Sequence, residues 1–232
     1  TRNNQDDQTK CQSTKDSKEW DGRTIEIDDA GTGDLVGDAF IGLRDNSTGK
    51  TIFRSVPVGL YNEDNRPEGK PKKHILKIVK DGLKALNHDD GDRVLLCRGN
   101  CFDLVREHFK ENDIYYEPAI VEGELQDAVE GRFIQHLRKL GVTSKSLTTE
   151  SGAQRYFVLF DWVCKDFPNR ERYVKTGFPS WGKKWRKRAR ARYEKSHKRK
   201  SRARKEIRQR AKEIYQNMPE QPTSIKEELS NS

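Results

Sequence analysis

Two adjacent carboxylates, Asp28 and Asp29, stand where an apolar segment meets a glycine-rich turn, and their types and position suit metal chemistry. The residues TIEI over 24–27 predict a short strand before them, and AGTG over 30–33 predicts a tight turn after them. Two acids at the end of a buried strand are costly unless a positive group pairs with them. A divalent metal ion is the usual partner for carboxylates gathered in this way. The stretch therefore predicts a metal site whose remaining ligands must come from other elements.

The composition is that of one domain with polar appendages. Of the 232 residues, 32% are apolar and 36% are charged, so the whole chain cannot be core. No apolar run approaches the roughly 18 residues of a membrane span, and no signal-peptide pattern precedes the first strand. Four scattered cysteines favour an intracellular, cytoplasmic protein, or a nuclear or nucleolar one in a eukaryote. Cys97 and Cys101 lack a second Cys or His pair at zinc spacing and are expected to be small core residues.

The charge of the chain is divided unevenly. The formal net charge is +9, but residues 181–212 contain 17 Lys/Arg and two acids, which gives that segment +15. The remaining residues contain 29 basic and 35 acidic side chains, which gives −6. The sequence therefore predicts a mildly acidic body that carries a strongly basic arm.

Hydrophobic periodicity divides the chain into four regions. Residues 1–22 are polar, show no periodicity and are expected to be disordered. Residues 23–167 alternate strand and helix patterns and form the predicted domain. Residues 168–216 form a basic helical arm in which Ser180 is expected to cap a long helix, and residues 217–232 form a disordered tail.

The order of the elements predicts the architecture of the domain. Strands are expected at about 24–29, 36–43, 50–56, 93–97 and 114–121, with helices around 72–87, 102–109, 125–140 and 156–163. Short links make the first three strands antiparallel, whereas intervening helices make the last two parallel. The predicted fold class is α/β, a mixed five-stranded sheet flanked by helices and followed by a long basic C-terminal helix. This architecture resembles the ribonuclease H-like fold.

The motif itself is similar to that of type 2 ribonucleases H. In that family the first strand ends in DEAGRGPLxGP, and this chain reads DDAGTGDLVGD over residues 28–38. The resemblance covers about 15 residues as a motif and about residues 24–166 as a topology. It implies that Asp28 and Asp29 bind catalytic Mg²⁺ or Mn²⁺. The turn residues that it places against nucleic acid are Gly31, Thr32 and Gly33.

The fourth strand departs from the family. The family reads Val-Asp-Gly-Asn there and uses the Asp as a metal ligand, whereas this chain reads CRGN over 97–100. Arg98 therefore stands where a carboxylate is expected, and a cation opposes metal binding or occupies the place of the ion. Arg98 is expected to contact nucleic acid or to pair with Asp29 or Glu122.

Replacement carboxylates lie near the start of the third helix: Glu122, Glu124, Asp127 and Glu130. If that helix begins early, Glu122, Gln126 and Glu130 share one face at successive four-residue steps. Glu122 and Glu130 are therefore the expected metal ligands and catalytic residues beside Asp28 and Asp29. Alternatively, the four acids form a solvated face that complements the helix dipole.

Other interpretations of the opening motif are open. The acidic pair could be ordinary turn chemistry at the end of a strand. Gly31, Gly33 and Gly37 could cradle a dinucleotide phosphate, but a strand rather than a helix follows them, and nearby Asp residues would repel phosphate. A likeness to the first phosphate loop of actin-like ATPases and sugar kinases is opposed by the chain length, because those proteins need two such lobes.

The basic arm carries Trp181, Trp185 and Tyr193 among its cations. Phosphate neutralisation combined with base stacking explains this composition directly. We expect the protein to bind nucleic acid, and RNA rather than DNA. It could do so as part of a ribonucleoprotein. We expect no association with a membrane. A nuclear address or an acidic protein partner is the alternative. The arm residues expected to contact nucleic acid are Lys183, Lys184, Trp185, Arg186, Arg188 and Arg192.

Two functional hypotheses follow from these features. The first is a metal-dependent nuclease that hydrolyses RNA or an RNA-containing duplex with two divalent ions about 3.5–4 Å apart. The second is a non-catalytic RNA- or ribosome-associated binding protein on the same scaffold, which Arg98 favours. Convergence of Asp28 and Asp29 with the acids of the third helix would favour the nuclease.

Overall fold

A five-stranded sheet forms the centre of the protein. The computed structural model describes residues 22–149 and 152–218, so the segments 1–21 and 219–232, predicted to be disordered, lie outside the described residues. The strands are β1 (Thr24–Ala30), β2 (Ala39–Asp45), β3 (Thr51–Val56), β4 (Arg93–Cys97) and β5 (Tyr116–Ala119).

The strand order and directions confirm the predicted mixed sheet. The spatial order is β3-β2-β1-β4-β5. β2 lies antiparallel to both β1 and β3, because short links join these three strands. β4 lies parallel to both β1 and β5, because a helix precedes each of the last two strands. The carboxyl ends of β1 and β4 consequently meet at one edge of the sheet.

Helices cover both faces of this sheet. They are α1 (Lys70–Ala85), α2 (Asp103–Glu111), α3 (Glu124–Lys139), α4 (Gly152–Lys165), α5 (Phe167–Arg170) and α6 (Arg186–Gln216). One hydrophobic cluster joins the α1 and α2 side chains to Ile25 and Ile27 of β1. A second cluster joins α3, α4 and α6 to Ala30, which points to the opposite face because strand side chains alternate. Among the described residues, no helix combines the length and apolarity that a membrane span requires.

The second strand begins three residues later than predicted. The segment before it pairs instead with the chain that follows α5, through a bridge between Val36 and Val174. The Gly37 amide donates to the Tyr173 carbonyl at 2.9 Å, and the Lys175 amide donates to the Leu35 carbonyl at 2.9 Å. The glycine-rich turn is thus held by a segment that lies about 140 residues later in the chain.

The start of the basic arm belongs to the folded body. The prediction that Ser180 caps the long helix is wrong, because Ser180 is already helical and makes no capping hydrogen bond. A π-helical turn, Trp181–Trp185, leads into α6. Trp181 is fully buried in the second cluster, so its predicted stacking role is also wrong. From residue 197 to residue 216, by contrast, every side chain of α6 is exposed.

Candidate metal and nucleic-acid site

The acidic pair converges with a cysteine where β1 and β4 end. In the parallel register Ile27 lies beside Leu96, which places Asp28 next to Cys97. One carboxylate oxygen from each of Asp28 and Asp29 and the sulfur of Cys97 all lie within 4.8 Å of one another. Two carboxylates and a thiol at such separations can surround one divalent cation.

Short polar contacts fix the second carboxylate. The Thr32 hydroxyl donates to Asp29 Oδ2 at 2.5 Å, and the Cys101 thiol donates to Asp29 Oδ1 at 3.2 Å. Gly99 packs closely here, since a methyl group on its α-carbon would lie 3.1 Å from Asp29 Oδ1. The chain after β4 and the glycine turn therefore position Asp29 from two sides.

The buried carboxylates of the site have no positively charged side chain paired with them. Asp28 is only 5% exposed, and this burial raises the pKa of its carboxyl, although hydrogen bonds from Cys97 and the Asp29 amide oppose the shift. Burial, together with the neighbouring carboxylates, also raises the pKa of Cys97 to about 12. Among the described residues, no lysine or arginine forms an ion pair with Asp28 or Asp29, so a bound cation would relieve the cost of burying them.

Helix α3 contributes further acids to this place. A cavity of about 580 Å³ is lined by the Asp28–Asp29–Cys97 cluster, by Gln126, Asp127 and Glu130 of α3, by Thr148 and Thr149, and by Arg155. Glu130 is the acid that adds to the pKa rise of Asp28. It is, however, already paired with Arg155. A third carboxylate is therefore at the site but is neutralised by the protein itself.

Glu122 lies elsewhere. Gly123 adopts a φ of 82°, and α3 begins at Glu124, so the early helix start that would align Glu122 with Glu130 is not present. Glu122 is exposed and is not among the residues that line the cavity. Glu124 pairs with Arg44 of β2 instead.

Arg98 is also displaced from the site. It follows the last residue of β4, is exposed and forms no ion pair with any described residue. Cys97, one residue earlier, takes the place beside the acids that the motif comparison assigned to Arg98. The strand register determines which of the two side chains lies beside the acids, because a shift of one residue reverses the face to which a side chain points.

Two basic residues that were not predicted from the sequence, Arg155 and Lys175, hold the glycine turn in place. Arg155 binds Asp34 with two contacts of 2.9 Å and also donates to Glu130. Lys175 is fully buried, and its ammonium donates to the carbonyls of Gly31 and Asp34, the latter at 2.9 Å. Burial lowers the pKa of Lys175 to about 8 although nearby carboxylates oppose the shift. Neither residue stands in a recognisable motif, so no local signal marks them.

The turn itself lies between two open cavities. Gly31 is buried with a φ of 79°, and an added methyl group would lie 2.5 Å from the Phe133 ring. Gly33 is exposed, and nothing lies within 4 Å of where its methyl group would be. Thr32 and Gly33 line both a cavity of about 630 Å³, which includes Trp185, and one of about 660 Å³, which includes Arg66 and Lys72. The exposed edge of the turn is thus open to a ligand from both sides.

The predicted nucleic-acid residues at the start of the arm differ in their surroundings. Trp185 packs edge-on against Tyr156, Phe157 and Phe160 of α4, with ring centroids 5.1 to 5.8 Å apart. Lys184 and Arg188 lie over the Trp185 ring, and Lys183 is exposed. Arg186 and Arg192 pair with Glu171 and Asp161 on the surface. The aromatic contacts anchor the arm beside the cavity that the glycine turn lines.

These features define the class of protein. A sheet of order β3-β2-β1-β4-β5, antiparallel on one side of β1 and parallel on the other, with an acidic pair at the end of β1, is a ribonuclease H-like fold. The predicted fold class is confirmed. The assignment rests on the strand order, the strand directions and the helices on both faces.

Neither a protein-family model nor a curated protein sequence matches the chain. Among solved structures, the chain is similar to Bst-RNase HIII, determined in complex with Mn²⁺, at 11% identity and a TM-score of 0.48. The similarity covers 75% of this chain and 70% of that chain.

Proposed function

We propose that this protein is a divalent-metal-dependent nuclease that hydrolyses phosphodiester bonds in RNA or an RNA-containing duplex. The observation that carries the proposal is the meeting of Asp28 and Asp29, neither of which forms an ion pair with a described lysine or arginine, at a cavity that acids of α3 also line. A bound divalent cation would supply Lewis-acid activation of water and neutralise charge that develops on the phosphate.

The residues of the chain divide the remaining work. Asp28 and Asp29 would hold the cation, and Asp29 is oriented for this by the Thr32 hydroxyl. The exposed edge of the turn at Thr32 and Gly33 would lie against the sugar-phosphate backbone, where the small glycine permits close approach. Discrimination for RNA would come from contact between this edge and the 2′-hydroxyl group.

The donor set fits one cation better than two. A two-ion site needs three or four carboxylates. Of the α3 acids that line the cavity, Glu130 is paired with Arg155, and Asp127 is exposed and lies outside the donor group formed by Asp28, Asp29 and Cys97. Glu130 would complete such a site only if its ion pair with Arg155 were broken and its carboxylate bound the metal instead. The role of Glu122 as a ligand, together with the two-ion arrangement, therefore stays a prediction.

The basic arm would supply affinity. Residues 181–212 carry a net +15, and α6 is exposed on all sides from residue 197 onward. Such a helix can neutralise several phosphates without contacting a base. Lys184 and Arg188 lie over Trp185, which lines the cavity of about 630 Å³ beside the glycine turn, and they would connect the arm to the site.

Cleavage assays test the proposal directly. End-labelled RNA, RNA–DNA hybrid and duplex DNA are incubated with Mg²⁺ or Mn²⁺ and with wild-type protein, Asp28→Asn or Asp90→Asn. Asp90 is exposed, so its substitution removes an equal charge away from the site. We expect cleavage of the RNA-containing substrates by wild type and Asp90→Asn, and at least a 100-fold loss in Asp28→Asn.

A non-catalytic nucleic-acid-binding protein, free or within a ribonucleoprotein, is the second candidate. It is favoured by Arg155, which already neutralises Glu130 and Asp34 as an ion would. Under this alternative, wild type and Asp28→Asn bind RNA equally and neither cuts any of the three substrates. That result would remove the nuclease proposal.

A further inference from the structure

We propose that Asp28, Asp29 and Cys97 form a site for a single thiophilic divalent cation of the Zn²⁺ class, with the Cys97 sulfur as a direct ligand. The inference rests on the acidic pair of the proposed function and specifies which cation that pair takes. It differs from an all-oxygen magnesium site in one testable respect, which is the metal–sulfur bond.

The geometry suits one small ion. The three donor atoms lie within 4.8 Å of one another. Around a zinc ion, with Zn–S of about 2.3 Å and Zn–O of about 2.0–2.2 Å, ligand atoms lie roughly 3.5 Å apart. The donor atoms therefore need to approach one another by at most about 1.3 Å.

A second observation points to a cation rather than to an idle acidic cluster. Asp28 is 95% buried, faces the cavity and has no lysine or arginine ion pair among the described residues. Elsewhere in the structure the buried acids have a protein cation: Asp34 pairs with Arg155, and Asp45 and Asp92 both pair with Arg23. The exception at Asp28 indicates that its cation comes from solution.

A second thiol stands next to the cluster. Cys97 and Cys101 are separated by three residues, which is a usual zinc-ligand spacing. The second pair of donors, which is missing from the sequence as Cys or His, is supplied in space by the two aspartates. Because Cys101 donates to Asp29 Oδ1 at 3.2 Å, it lies one contact away from the three donors and is the candidate fourth ligand.

Ligand chemistry then selects the ion. Mg²⁺ demands oxygen ligands in near-octahedral geometry and keeps several waters. Thiolates favour softer ions such as Zn²⁺, and zinc accepts mixed sulfur and carboxylate ligands in four-coordinate sites. The substitution of sulfur for oxygen at the end of β4 therefore shifts the preference of the site away from Mg²⁺.

The test uses the metal–thiolate absorption of the full-length protein. Metal-free wild type, Cys97→Ser and Cys164→Ser are titrated with Cd²⁺ and Co²⁺ under a phosphine reductant, and Zn²⁺ affinity is measured by competition with a chromogenic chelator. Cys164 is a buried thiol in the second hydrophobic cluster and serves as the matched control. Circular dichroism establishes that each variant is folded.

We expect a sulfur-to-metal charge-transfer band in wild type and Cys164→Ser, and a clearly weaker band in Cys97→Ser, where only the candidate fourth ligand, Cys101, would supply sulfur. Zn²⁺ affinity should fall at least about tenfold in Cys97→Ser, since loss of an outer-shell partner alone costs that much. A second variant, Cys97→Asp, should show the same weakening of the band but bind Mg²⁺ more tightly than wild type. No band in wild type at saturating Cd²⁺, or an equal band in Cys97→Ser, would overturn the inference.

The outcomes separate this inference from the proposed function. Absence of the band together with Mg²⁺-dependent cleavage would remove the thiolate ligand and leave the nuclease standing. A Cys97-dependent band without cleavage in any metal would establish the metal site and remove the nuclease.

Discussion

Arg155 of α4 donates two parallel hydrogen bonds to Asp34 of the glycine turn, from Nε to Oδ1 and from Nη2 to Oδ2, each 2.9 Å long. The pair joins residues 121 positions apart in the chain, and both side chains are close to 10% exposed. The same guanidinium donates to Glu130 of α3 and lies over the Phe133 ring. One arginine thus ties together the turn and two helices that surround the candidate site.

Loss of this arginine should be strongly destabilising. We expect Arg155→Gln to lower the free energy of unfolding by about 3 kcal/mol, because it leaves the buried Asp34 carboxylate without its cation. The matched control is Arg192→Gln, which breaks the exposed pair with Asp161 and should change stability by under about 0.5 kcal/mol. Urea denaturation measures both values. Equal effects of the two substitutions would contradict the assigned role of Arg155.

The buried Lys175 predicts an unusual rise of stability at alkaline pH. Its folded pKa of about 8 lies below the ordinary value of 10.5, so between these values the unfolded chain binds more protons than the folded one. Stability should therefore increase as pH rises from about 8 to 10.5. The Lys175 contribution to this increase is roughly 3 kcal/mol at most.

Two variants isolate the Lys175 contribution. Urea unfolding from pH 7.5 to 10.5 should show the rise in wild type and in Lys80→Met, which removes an exposed lysine of α1. The rise should be reduced in Lys175→Met. Parallel pH curves for all three proteins would show that Lys175 titrates in the folded protein as it does in solution.

Substitution by alanine should change stability differently at the two glycines of the turn, Gly31 and Gly33. Gly31→Ala forces a φ of 79° on a residue with a side chain and brings a methyl group 2.5 Å from Phe133, so we expect a loss of about 2–4 kcal/mol. Gly33→Ala meets nothing and should leave stability within about 0.5 kcal/mol. If the turn contacts nucleic acid, Gly33→Ala should still weaken RNA binding. A destabilised Gly33→Ala or a fully stable Gly31→Ala would argue against the described turn geometry.

The basic helix predicts a specific salt dependence of binding. Replacing Arg199, Arg202 and Lys205 of α6 by Gln should lower the slope of log K against log salt by up to about 3 on a duplex, since each phosphate contact contributes about 0.9. The control replaces three exposed lysines of α1: Lys73, Lys80 and Lys84. Fluorescence anisotropy over a salt series measures both slopes. A larger change in the α1 variant would place the phosphate contacts on the other side of the protein.

Much of the fold could be read from the sequence because its signals are local. Strand alternation, helical periodicity and link lengths predicted the five strands, their directions and the flanking helices. Element ends were less certain. β2 starts at Ala39 because Val36 pairs with the distant Val174, and no local pattern encodes that bridge.

Only part of the candidate site, the acidic pair, could be predicted from the sequence. Asp28 and Asp29 stand next to each other in one motif, so the sequence alone marks them as a pair. Their neighbours depend on the register between β1 and β4, which are separated by more than 60 residues, and that register places Cys97 rather than Arg98 beside them. The start of α3 likewise decides that Glu130 lines the cavity and that Glu122 does not.

By itself, then, the sequence determined the acidic pair, the turn, the sheet topology and the uneven distribution of charge, since each depends on residues close together in the chain. Tertiary structure alone decided the partners of that pair. Packing buried Trp181 instead of offering it to a base, and it brought Arg155 and Lys175 to the turn from 121 and 144 positions away. Contacts of this kind form because a buried charge or polar group must find a partner in space, and the sequence does not show which residue will lie there.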